Sequence, residues 1–180
     1  TEVAEKEKKG NETEKEVSST GILVEVGETL AENKYPEINS LVETYLNACV
    51  KGDMGTLATV VSNVSHLDKE ALIQKYRYVE QYENISCYTA DAPNGQGYHV
   101  YVYGELKLLG VDTLAPGLLS IYVAATEDGG YCVYLDGLDK EVQEFIDETD
   151  ESSEVKKLVE QVNLRFEEAL TKDEALKKLY

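Results

Sequence analysis

Residues Tyr98–Leu108 read YHVYVYGELKL, and the strict two-residue alternation in that stretch decides the fold. Side chains of a β-strand point by turns to opposite faces. Val100, Val102, Leu106 and Leu108 therefore share one face, and His99, Tyr101, Tyr103, Glu105 and Lys107 share the other. The aliphatic face is the one expected to pack against covering helices, which leaves the histidine and tyrosine face pointing away from them.

Strand signals continue on either side. Tyr82–Thr89 is rich in β-formers and ends at the loop Asp91-Ala92-Pro93-Asn94-Gly95. Leu118–Thr126 puts Leu119, Ile121, Val123 and Ala125 on one face. Glu127-Asp128-Gly129-Gly130 suits a tight hairpin, whose central residues need positive φ, and Tyr131–Leu135 returns from it. Four strands in sequence, joined by short turns, predict an antiparallel meander.

Helical periods bracket the meander. Pro36 is well placed at a helix start, and Ile38, Leu41, Val42, Tyr45, Leu46, Cys49 and Val50 recur at helical spacing until Lys51-Gly52-Asp53 breaks the run. A short helix with Leu57, Val60 and Val61 inward follows. Asp68 then caps a third, which carries Ile73, Tyr76 and Val79, and Ser65 stands at capping-box spacing from it. Beyond the strands, Leu138, Val142, Phe145 and Ile146 form one stripe, and Val155, Leu158, Val159, Val162, Phe166, Ala169 and Leu170 a longer one. Thr171 and Glu174 have capping-box spacing for a last helix. The order predicts an α+β fold: N-terminal helices packed on a curved antiparallel sheet, with additional C-terminal helices.

The expected organisation has three parts. Residues 1–34 form an acidic, lysine-containing linker, in which 22–26 would add a short strand if the domain offers a partner. Residues 35–136 form the α+β cone, and residues 137–180 a helical extension packed on the same domain. Val3 and Val17 are the only aliphatic side chains larger than alanine in residues 1–20, too few to offset the entropy of ordering them.

Composition narrows the partners. The net charge of -18 repels phosphate backbones and anionic membrane surfaces. No run of about 18 apolar residues exists, so no segment of this chain is expected to span a membrane. Thr1 in place of an initiator methionine suggests a processed product or a trimmed piece of a longer chain, from which an upstream signal or anchor is expected to have been removed. Cys49, Cys87 and Cys132 form no CxxC pair, and burial as small apolar side chains accounts for them. The motifs of P-loops, zinc proteases, serine hydrolases and dinucleotide folds are absent. No cofactor and no metal is expected. Asp147-Glu148-Thr149-Asp150-Glu151 lacks the glycine of a calcium loop, and Ser65, His66 and Asp68 suit capping better than a triad.

The first helix with Val42, Tyr45, Leu46 and Cys49, the Lys51-Gly52-Asp53 break, Leu57 in the second helix, the run from Tyr76 into Thr89 and the hairpin at Asp128-Gly129 together resemble nuclear transport factor-like (cystatin-like) domains. The likeness covers residues 35–135 and is to the uncharacterised versions found on Gram-positive bacterial surfaces. That resemblance implies a cone-shaped α+β domain behind an N-terminal membrane anchor and a charged spacer. The strand count, four, is low for the family, and the helices from Leu138 onward are extra.

The family includes isomerases and dehydratases, so the His/Tyr/Glu face carries two readings. If it lined the cone, His99 or Glu105 would be a general base with a tyrosine as donor. If it faces outward, Tyr101, Tyr103, Tyr122 and Tyr134 form a surface for a homodimer or protein partner, or the C-terminal helices cover it as a second core layer. Thirteen tyrosines against two phenylalanines favour a contact role, since tyrosine combines area with a polar tip. The leading expectation is a non-catalytic, extracytoplasmic binding or spacer module of a tethered bacterial protein. A small-molecule binder or enzyme using the cone interior and a structural dimerisation domain are the alternatives.

Overall fold

The computed structural model of the protein describes residues 29–180, apart from Asn94 and Gln96. The alternating stretch forms β3 (Gly97–Leu108), at the centre of a five-stranded antiparallel sheet. β1 (Ala31–Glu32), β2 (Val79–Asp91), β4 (Ala115–Ala125) and β5 (Tyr131–Val133) complete it, in the order β1-β2-β3-β4-β5. Six α-helices lie around it among the described residues, and the α+β class holds.

Register sets what each face carries, because residues directly opposed on antiparallel strands share a face. Val102 stands between Cys87 and Leu119, and Val100 between Thr89 and Ile121. Tyr101 stands between Tyr88 and Ser120, and His99 between Ala90 and Tyr122. The first set meets α1 (Pro36–Lys51) and α2 (Met54–Val60), where Ile38, Val42, Leu46, Cys49 and Leu57 pack with Val100, Val102, Val123 and Val133. Each such side chain taken fully out of water contributes about 1.5–3 kcal/mol. The second set meets α5 (Ser153–Lys172), where Val155, Leu158 and Val162 pack with Tyr88, Tyr101 and Tyr103. Val142 and Ile146 of α4 (Lys140–Asp150) pack with Tyr122. The sheet is thus the middle of three layers.

Local chemistry ends the helices where the spacing predicts. Pro36 occupies the first turn of α1, and Gly52 closes it with φ +61°, a left-handed conformation that glycine adopts freely, its N–H meeting the Ala48 and Cys49 carbonyls. Asp53 caps α2 through the Thr56 N–H, and Asp68 caps α3 (Lys69–Lys75) through the Ala71 N–H. Asp139 and Ser152 do the same for α4 and α5.

Four details depart from the sequence reading. Ser65 falls in a 3₁₀ turn (Val64–His66) capped by Asn63, and Ile73 of α3 is half exposed. The cap of α6 (Glu174–Leu179) is Asp173, which takes the Ala175 and Leu176 N–H groups, because α5 continues through Thr171 to Lys172. A fifth strand exists: Ala31 and Glu32 pair with Thr89 and Tyr88. The expected linker therefore ends sooner than residue 34, with Leu30 buried beneath α5 and its N–H bonded to Glu154 Oε2 at 2.8 Å. The short strand expected at 22–26 lies outside the described residues.

Candidate functional site

The histidine and tyrosine face faces away from α1 and α2, as the aliphatic alternation of β3 predicts. α4 and α5 cover it. Tyr101 and Tyr103 are buried against Val155, Leu158 and Val162, and Tyr122 against Val142 and Ile146. Tyr134 is half-buried and meets Tyr122 edge-on, with ring centroids 6.4 Å apart. The expectation that Tyr101, Tyr103, Tyr122 and Tyr134 present a partner surface is corrected: their contacts are to the chain's own helices. The amphipathic stripe of α5 needs an apolar surface, and this face supplies it.

Within this layer β3 and α4 bring His99, Tyr101 and Asp150 together. His99 is only 3% exposed. Its Nε2 lies 3.4 Å from Asp150 Oδ1, and the Tyr101 hydroxyl donates to the same oxygen. The two rings stack edge-on at 4.5 Å. Burial holds the His99 imidazolium below its ordinary pKa, outweighing the Asp150 carboxylate, which favours the charged form. The Ile121 backbone also favours that form, yet Nδ1 closes no well-formed hydrogen bond. Burial thus favours the uncharged ring, and Nδ1 is left without a hydrogen-bond partner. Burial, reinforced by Asp150, pushes the Tyr101 phenol far above its usual range.

Glu105 belongs elsewhere. It accepts from the Tyr103 hydroxyl at 2.6 Å and from the Asn84 amide. Six residues of strand, about 20 Å, separate it from His99, so the two cannot act on one reacting group. His99 borders an open cleft of about 340 Å³ at the β4 edge, shared with Ser120, Tyr122, Tyr134 and Leu138. Among the described residues no group of His, Cys, Asp and Glu side chains is placed to hold a metal ion, and no helix is long and apolar enough to cross a membrane.

Asp150 is the member that the sequence reading missed. It is exposed at the last position of α4, one residue beyond the buried stripe of Val142, Ile146 and Thr149, so helical spacing does not single it out. Comparison of the chain with family models, with curated proteins and with solved structures found no match in any of the three.

Proposed function

We propose that this chain is a non-catalytic binding or spacer module of a bacterial protein, held outside the cytoplasmic membrane by an upstream anchor, and that its domain is of the nuclear transport factor-like type. The observation that carries the reading is the filled interior. A cone enzyme needs a hollow between its helices and its sheet where substrate meets a general base. Ile38, Val42, Leu46, Leu57, Val100, Val102 and Val123 occupy that position here, each almost wholly excluded from water. The one buried histidine lies on the opposite face of the sheet, under α4 and α5. The charged, aliphatic-poor composition of residues 1–20 supports a tether.

Two measurements test it. An epitope inserted at Gly129, at the open tip of the β4–β5 turn, is expected to bind antibody on intact cells; binding only after permeabilisation would sink the extracytoplasmic part. Isomerase and dehydratase substrates are expected to turn over no faster with wild type than with His99→Ala. Turnover lost in that variant would overturn the non-catalytic part.

One observation favours a second reading, a small-molecule binding module. His99, Ser120 and Tyr134 border the open cleft at the β4 edge, a lining that would suit a small ligand with hydroxyl or amine groups. Polar fragments of that kind are expected to raise the melting temperature of wild type and not of His99→Phe; equal responses would remove this reading.

A further inference from the structure

We propose that the end of the sheet remote from His99 carries a binding groove for a small amphiphilic anion, one apolar chain with a carboxylate-type head. The groove lies between Tyr78, the Leu106 and Leu108 end of β3 and the last helix, α6, with Phe166, Leu176 and Leu179 in its wall. Its volume is about 250 Å³, somewhat below that of a usual small-molecule site. A second cleft, of about 350 Å³, runs on from it to Val159 and Leu118. The two share Pro116, Phe166 and Tyr180, so a chain laid in one continues into the other.

Apolar exposure gathers here. Seven large apolar side chains stand well exposed among the described residues, and four of them, Tyr78, Val159, Leu179 and Tyr180, border these two clefts. Scattered singly, such residues need no explanation; gathered, they mark an interaction site. Tyr180 is 88% exposed, yet its ring meets Phe166 edge-on at 4.8 Å, so it walls the groove without belonging to the core.

Charge selects the head group. Next in sequence to Tyr78, Leu106, Leu108, Phe166, Leu176 and Leu179 stand five basic side chains, Arg77, Lys107, Arg165, Lys177 and Lys178, and two acidic ones, Glu105 and Glu167. In the whole chain the balance is the reverse, 35 acidic to 17 basic. Arg165 and Glu105 both engage Tyr103, and Lys107 bonds the Val111 carbonyl. Arg77, Lys177 and Lys178 are exposed and form no ion pair among the described residues. Arg77 lies over the Tyr78 ring, 4.7 Å from its centre, which puts a guanidinium at one rim. Leu176 and Leu179, three apart, share the inner face of α6, so Lys177 and Lys178 flank that face at the other rim. At physiological ionic strength exposed charges act over about 8 Å, so an anion at these rims meets the three cations rather than the -18 of the whole molecule. A cationic head would be repelled, and a neutral ligand would leave the cations unused. The site is separate from the cleft at His99: seven residues of β3, about 23 Å, lie between His99 and Leu106.

Nitrogen–proton NMR titration with decanoate, kept below its micelle concentration, tests this, with decyltrimethylammonium as the cation of similar chain length. Decanoate is expected to shift the amides of Tyr78, Leu106, Leu108, Leu176 and Leu179 saturably and to bind at least ~10-fold tighter than the cation, the opposite of what the overall acidity alone would give. Lys177→Gln combined with Lys178→Gln is expected to weaken decanoate at least ~5-fold. Arg77→Gln, which leaves α6 untouched, is expected to weaken it too, and it decides the matter if the α6 amides show the double variant frayed. No saturable shift at these amides, a cation that binds as tightly, or variants that bind as wild type does would each overturn the proposal. So would capture by phosphatidylglycerol vesicles without any response to decanoate, which would assign the groove to a membrane surface.

Discussion

A β-carbon on Gly97 would lie 1.9 Å from the hydroxyl oxygen of Tyr122 and 2.4 Å from its Cζ. The phenol therefore lies across bare backbone, and α4 holds it there through Val142 and Ile146. Gly97→Ala is expected to force the ring out of place and to cost about 1–3 kcal/mol, read by urea denaturation. Combining it with Tyr122→Leu should cost less than the sum of the single changes, because the clash is gone. Additive losses would show that Gly97 matters for another reason.

Leu158 tests whether the C-terminal helices belong to the domain. Its side chain is fully buried between Tyr101, Tyr103 and its own helix. Leu158→Ala is expected to lower stability by about 2–5 kcal/mol in a single cooperative transition, since it opens a cavity in a packed layer. A change near zero, or a separate early transition by circular dichroism, would mean that α5 folds apart from the sheet.

Much of this was legible in the sequence, and the remainder was hidden for identifiable reasons. The alternation in β3 assigned Val100 and Val102 to one face and His99 and Tyr101 to the other, and the structure has them so. Periodicity states which residues share a face but not what covers it, so Tyr101 and Tyr103 read equally as an interface or as a second core. β1 escaped because two residues, Ala31 and Glu32, carry no period; tertiary pairing with β2 makes them a strand. The cap of α6 slipped from Thr171 to Asp173 because either residue can cap, and α5 holds its stripe to Leu170 before it ends. The meeting of His99 with Asp150 joins positions 51 residues apart, which no local pattern encodes.

The three cysteines differ in access. Cys49 and Cys87 lie in the core between α1 and the sheet, and burial alone pushes the Cys87 thiol up to about 12. The Cys49 thiol is raised as well, chiefly by burial. Cys132 on β5 is half-buried, with its thiol raised by partial burial and by the Asp136 carboxylate. Since the thiolate is the reacting form, a chromogenic disulfide reagent at neutral pH is expected to label Cys132 in the native protein, and Cys49 and Cys87 only in denaturant. Rapid native labelling of Cys87, identified by peptide mass, would contradict the packing of β2 against α1.

His99 should make stability depend on pH in a definable window. Its folded pKa is depressed below the unfolded value of 6.5, chiefly by burial. Just below pH 6.5 the unfolded chain therefore binds a proton that the folded chain refuses, and stability falls as pH falls through that range. Above it both states are neutral at His99 and the dependence vanishes. The depressed carboxylates Asp53, Asp128 and Asp173 also lose stability on acidification, but lower, below their ordinary carboxylate range. His99→Gln, which keeps a polar side chain without a titrating ring, is expected to flatten the curve just below pH 6.5 and leave the acid limb in place. Urea denaturation at a series of pH values measures this. A slope unchanged in the variant would mean that His99 is as free to take a proton in the fold as outside it, and its burial beneath α4 and α5 would be wrong.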